Sequence, residues 1–200
     1  MSWETSEGED LFTLQSFAQR WAVGTLRQAG RLREARKRAN LLSWQYDRGE
    51  DWSPGEEQLH GGYEDAWVEQ HLLVVAAHQF SKWARRLAAV ETGGVRRETH
   101  EHLESLRNSV EHLDEALLEG DYAVPDPRIK RKKWGLSELP GEGLFLGSDW
   151  RGPGTTAFGV LDVEALEEDC RTVVSDIFDD RAGPAIDSYV QSLIDDARGR

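Results

Sequence analysis

Two hundred residues suffice for one domain with a buried core, and 38% hydrophobic content with eight Trp excludes a chain that stays disordered. A net charge of −13 excludes loose, sequence-independent nucleic-acid binding, because neutralising phosphate dominates that affinity. Cys170 is the one cysteine, which rules out an internal disulfide and suits a reducing, cytoplasmic setting; the acidic start MSWETSEGEDLF does not read as a signal peptide, and no apolar run approaches the roughly 20 residues of a membrane helix.

In chain order, a first helix is expected from about Asp10 to Leu42, with Leu11, Leu14, Phe17, Trp21, Val23 and Leu26 on its apolar side. Gly24 and Gly30 each weaken it by roughly 1 kcal/mol relative to Ala, so a bend is allowed. The stretch QYDRGEDWSPGEEQLHGGYED, rich in Gly and acids, reads as a loop. A second helix follows from about Tyr63 to Glu91, carrying Trp67, Leu72, Leu73, Val75, Ala76, Phe80, Trp83 and Leu87 and ending at the glycines of ETGGV.

A third helix is expected from about Val95 to Leu118, because Leu103, Leu106, Val110, Leu113 and Leu117 recur at spacings of 3, 4, 3 and 4, with Gly120 and then Pro125 and Pro127 as its stop. GLFLG and TAFGVL flank SDWRGPGT and read as a β-hairpin. A fourth helix is expected from about Asp162 to Phe178, with Val163, Leu166, Val173, Val174 and Ile177 inward, and a short fifth one restarting at GPAIDSYVQSLIDDA with Pro184 in its first turn. The expectation is a mainly α protein: residues 1–200 as a single domain, an antiparallel helical bundle over 10–120, and a C-terminal β-hairpin and further helices over 121–200.

The charge is uneven. Residues 20–38 hold seven cations (Arg20, Arg27, Arg31, Arg33, Arg36, Lys37 and Arg38) against Glu34, and residues 128–133 hold Arg128, Lys130, Arg131, Lys132 and Lys133 with no acid. Such runs are either solvated faces or the walls of a local basic groove. For RNA contact the sequence nominates Lys130, Arg131, Lys132 and Lys133, with Trp134 either stacking on a base or packing on the hairpin.

The polar side of the third helix carries more than solubility requires. Asn108 and His112 are i, i+4 neighbours, and Arg107 lies at the margin of the leucine stripe, where a long side chain covers core and reaches outward. Arg107-Asn108-Ser109-Val110-Glu111-His112 resembles the R-x(4–6)-H motif of HEPN domains, including the polar residue after the Arg. The resemblance implies a small antiparallel bundle that forms a homodimer, with two motifs facing across the interface as a metal-independent ribonuclease site without a cofactor. It also implies a toxin or phage-defence setting, in which an antitoxin or regulatory protein is the partner. On that reading His112 is the general acid or base, Arg107 holds the phosphate, and Asn108 orients His112 or the sugar-phosphate.

The motif has competitors. Arg97 and Arg96 also match with His102, and the plain alternative is that Arg107 pairs with Glu111 one turn on while His112 is a solvated surface residue. A non-catalytic module of the same fold, binding a basic partner through its acidic surface, is the second reading; an acidic mimic of nucleic acid is a third. His71 and His78 share a face of the second helix but stand about 10 Å apart along its axis, too far to grip one metal ion unaided. His100 and His102 point away from one another on a helix, Trp21, Trp67 and Trp83 read as core, RGPGTT lacks a phosphate-loop pattern, and acids around Cys170 disfavour its thiolate.

Overall fold

The computed structural model describes residues 10–92, 100–128, 135–147 and 155–198. It is mainly helical. α1 runs from Leu11 to Arg48, α2 from Glu56 to Thr92, α3 from Leu103 to Glu111 and α4 from Val163 to Arg198. Three short antiparallel strands, β1 (Leu117–Glu119), β2 (Tyr122–Val124) and β3 (Leu144–Phe145), form one sheet in that order. β4 (Thr156–Ala157) and β5 (Leu161–Asp162) form a separate two-stranded ribbon. No helix among the described residues is long and apolar enough to cross a membrane.

α1 and α2 make a long helical hairpin. The Asp10 carboxylate accepts from the Phe12 N–H at 3.2 Å and starts α1; Gly49, at φ +61°, stops it by donating its N–H to Tyr46 O. Both helices bury small residues. On α1 the inward positions are Ala18, Ala22, Thr25, Ala29, Leu32, Arg36 and Ala39; on α2 they are Ala66, Gln70, Leu73, Ala77, Phe80, Ala84 and Leu87. From Ala22 and Ala66 onward they recur at alternating steps of three and four, the period of a coiled-coil seam. Leu14, Leu73, Phe80 and Leu87 face the core as expected, but other large residues expected there sit at its rim or outside it. Trp21 and Leu26 are half-buried, whereas Leu11, Phe17 and Leu72 are exposed.

The segment expected as a loop is mostly helix. α2 begins at Glu56 and passes through Gly61 and Gly62, the second of them closely packed: a Cβ on Gly62 would lie 2.7 Å from Leu42 Cδ1 and 3.6 Å from Ala39 Cα. The third helix is corrected in the opposite direction. It ends at Glu111, a 3-10 turn covers Leu113–Glu115, and Leu117 belongs to β1. Leu103, Leu106 and Val110 do face the core. Gly120, at φ +58°, turns the β1–β2 hairpin rather than ending a helix; Glu119 pairs with Tyr122 across it. The residues before Leu103 that were expected to be helical lie partly outside the described set.

The expected hairpin between GLFLG and TAFGVL is not among the strand pairings of the described residues. β3 pairs with β2, Tyr122 opposite Phe145 and Ala123 opposite Leu144, while β4 turns back onto β5 through Phe158 and Gly159. The fourth and fifth helices are one, α4 continuing through Gly183 and Pro184. Its inward residues are Val163, Leu166, Cys170, Val173 and Ile177, and a single hydrophobic cluster runs from Leu14 to Ile177 through every helix.

A buried polar knot locks the β4–β5 ribbon to the hairpin. Arg36, 7% exposed, donates to Gln70 Oε1 at 2.9 Å and to Thr156 O at 2.6 Å; Gln70 Oε1 also accepts the Phe158 N–H at 2.9 Å. Phe158 sits at φ +52°, costly for a bulky residue, and is held there by that bond and by its ring edge against Trp67 at 6.0 Å. Gln70→Leu removes the shared acceptor, and the urea midpoint should fall by the equivalent of about 2–3 kcal/mol. Gly135→Ala should cost about as much, because its Cβ would lie 1.8 Å from Ser105 O on α3; an unchanged midpoint in either variant contradicts the packing described.

Candidate functional site

α3 is a short helix clamped on two sides. Gly135 presses on its backbone at Ser105, whose hydroxyl donates to Glu138 at 2.5 Å, and Ser109 Oγ donates back to Ser105 O at 2.7 Å. On the other side lies α2. This leaves one partly open edge, and Arg107 and Asn108 stand on it, both half-buried.

The Arg107 guanidinium donates to Asn108 Oδ1 at 3.0 Å and pairs with Glu111 at 2.6 Å, both side chains 32% exposed. The plain pairing one turn along the helix is therefore formed. His112 is not a helical residue. It closes α3 at φ −117°, its N–H donating to Asn108 O at 3.2 Å, and its imidazole is 54% exposed, with Nδ1 3.6 Å from a Glu115 oxygen. Arg107 and Asn108 thus lie within α3 and His112 at its end, without a hydrogen bond joining Arg107 to His112 among the described residues.

Two histidines set aside on sequence grounds belong to the same neighbourhood. His71 on α2 feels the charge of Glu111, and His78 feels Arg107 and Glu104, so α2 and α3 run past one another in opposite directions with matching seven-residue spans. Burial pushes the pKa of both below the usual histidine value; at His78, Arg107, Lys82 and Arg85 push further and Glu104 opposes them. His71 also meets the Trp67 ring edge-on at 5.7 Å. The shared face of His71 and His78 was the available signal. What it lacked was the partner helix, which no local spacing reveals.

The other nominated positions resolve differently. Lys130, Arg131, Lys132, Lys133 and Trp134 lie outside the described residues, as do Arg96 and Arg97, while His102 is the half-buried residue just before α3. His100 is a buried tie from the start of α3 to α4, 3.4 Å from Asp169. Trp67 and Trp83 pack against the core as expected, Trp83 stacked on Phe17 at 4.5 Å. Cys170 is buried, its thiol pushed up to about 12 by burial and by Asp169. Among the described residues no three His, Cys, Asp or Glu side chains gather as metal ligands would.

An open groove of about 700 Å³ lies elsewhere, between α1 and α2, where Gly30 leaves space beside Arg31, Arg38, Asp65 and Val68. Its charges offset one another, Arg38 standing 3.5 Å from Asp65, and no residue of α3 lines it. No family model, curated protein or solved structure matches the chain.

The electrostatics of the site are measurable. His78 should titrate below the ordinary histidine range in an NMR pH series. Arg107→Gln removes a positive neighbour, makes protonation easier and should move that midpoint upward; Glu104→Gln should move it downward. A His78 midpoint unmoved by both substitutions would mean that α2 and α3 do not share this site.

Proposed function

We propose that this chain is a metal-independent endoribonuclease of the HEPN kind, acting as a homodimer, with Arg107, Asn108 and His112 at its site. The observation that carries the reading is the hydrogen-bonded Arg107–Asn108 pair on a half-open edge of α3, with an exposed imidazole closing the same helix. The Glu111 ion pair is no obstacle. At this exposure such a pair contributes about 1 kcal/mol or less, so a phosphate, which Arg grips in the same forked geometry, displaces the carboxylate at small cost.

The chemistry asks little of the protein. His112 takes the proton from a ribose 2′-OH as its oxygen attacks the adjacent phosphorus. The O2′–P bond forms, the P–O5′ bond breaks, and the 5′ oxygen leaves with a proton, giving a 2′,3′-cyclic phosphate. Arg107 neutralises the charge that builds on the phosphoryl oxygens. Asn108 positions Arg107. His78, kept neutral near pH 7 by burial and by its cationic neighbours, is a second imidazole available to hold substrate. Lys130, Arg131, Lys132 and Lys133 would carry the flanking RNA backbone in an otherwise acidic protein, and a cytoplasmic antitoxin or regulatory protein would restrain it.

A second reading, a non-catalytic regulatory module of the same architecture, is favoured by the fact that Arg107 and His112 both already face carboxylates. RNA cleavage in EDTA separates the two. Purified protein should cut total RNA or tRNA to products ending in 2′,3′-cyclic phosphate, and His112→Ala should lower the rate by roughly 100-fold or more. Arg107→Gln should do the same, while His102→Ala should not. Cleavage untouched by His112→Ala removes its role, and no cleavage by the unaltered protein leaves the regulatory reading.

A further inference from the structure

The end of the α1–α2 hairpin carries large apolar side chains that the fold does not cover. Leu41, Trp44 and Arg48 fall on one stripe at the end of α1, and Leu41, Trp44 and Trp52 are each more than half exposed. Side-chain contacts tie the arrangement together. Arg48 lies over the Trp44 ring at 4.8 Å and the Trp52 ring at 5.6 Å, and its guanidinium is held by Glu50 at 2.7 Å. The turn between the helices is closed by Ser53, which accepts from the Glu50 N–H at 3.0 Å and donates to Gln45 O at 2.7 Å. Two exposed indoles are thus gathered around one guanidinium, and exposed Trp is the residue type that most often anchors a protein interface.

The charge around them selects the occupant. From Trp44 to Gln58 there are five carboxylates and one Arg, a formal charge of −4. Glu50 is spent on Arg48, and Glu56 and Glu57 complement the start of α2, but Asp47 and Asp51 are exposed and have no ion pair among the described residues. Such a rim repels phosphate, anionic lipid and a second copy of the same tip. It attracts Lys and Arg, whose cations also favour indole faces.

We propose that the α1–α2 tip is a docking surface for a basic segment of a partner protein, with Trp44 and Trp52 as anchors for its apolar side chains and Asp47 and Asp51 as partners for its cations. The tip stands roughly 30 Å along α2 from His78, so the proposal does not depend on the ribonuclease reading.

The test is anisotropy of labelled twelve-residue peptides titrated with the full chain. One peptide alternates Arg with Leu, and the other carries Glu in place of every Arg. The Arg peptide should bind and the Glu peptide should not, and Trp44→Ala and Trp52→Ala should each weaken binding roughly tenfold. Circular dichroism should show both variants as helical as the parent, since the removed rings are surface groups. Equal binding of the two peptides, or no binding of either, overturns the proposal. So does Arg-peptide binding that survives both tryptophan substitutions, because that is attraction to a protein of charge −13 and nothing more. A concentration-dependent dimer abolished by Trp44→Ala assigns the tip to a second copy and overturns it too.

Discussion

A guanidinium taken out of water sets the terms for the rest of this fold. Arg36 lies on the seam between α1 and α2 and is 7% exposed, and burial lowers its pKa to about 10. Burying a cation costs several kcal/mol unless its protons are met, and here Nη2 donates both to a neutral amide and to a main-chain carbonyl. Meeting them dictates the tertiary structure. Gln70 must stand opposite on α2, and the β4–β5 ribbon must reach in to present Thr156 O. Phe158 must then adopt a left-handed turn to place its N–H on the same amide oxygen. The start of α4 follows directly, since Val163 donates to Thr155 O at 2.7 Å and Asp162 caps the new helix by accepting from Ala165. A second charged cluster repeats the logic on the surface side: Glu167, 5% exposed, is held by Arg33 of α1 and Arg171 of α4.

The seam tolerates this polar knot because it is otherwise narrow. Ala18, Ala22, Ala29 and Ala39 against Ala66, Ala77 and Ala84 let the two helices approach closely, so affinity between them comes from many backbone-near contacts rather than from a few large side chains. The displaced large residues become rim and surface. Phe17 and Trp83 stack across the rim, while Trp44 and Trp52 are left at the tip for something else to cover.

The electrostatics of the α2–α3 edge follow from the same close packing. α3 is too short to be stable alone, and it is held by Gly135 pressed on its backbone and by α2 along its flank. Packing it there half-buries His71 and His78, and burial lowers both imidazole pKa values, with Arg107 adding to it at His78 while Glu111 and Glu104 oppose it. Arg107 meanwhile keeps a solvent-facing side and only shallow ion pairing, so the edge is polar and preorganised without being closed.

What the sequence determines by itself is whatever rests on one-dimensional period and local chemistry. The long helices α1 and α2, the first half of α4 and the inward faces of α3 and α4 are legible from residues such as Leu103, Leu106, Leu166 and Ile177, because burial on one face imposes a period that survives in the chain. Arg107, Asn108 and His112 are legible as candidates because their residue types are unusual on a solvated helix face. Tertiary structure alone decided the remainder. Leu113 and Leu117 keep the helical period, yet the chain leaves the helix at Glu111, because Leu117–Glu119 gains a ladder with β2 that the helix cannot supply. Gly61 and Gly62 look like breakers, but both lie within α2, where Gly62 packs closely against Leu42 and Ala39 of α1. β3 joins β2 rather than β4, and His78 meets Arg107, for one shared reason. Pairings between distant segments are selected by the total burial and hydrogen bonding of the whole chain, and that sum is not written at any single position.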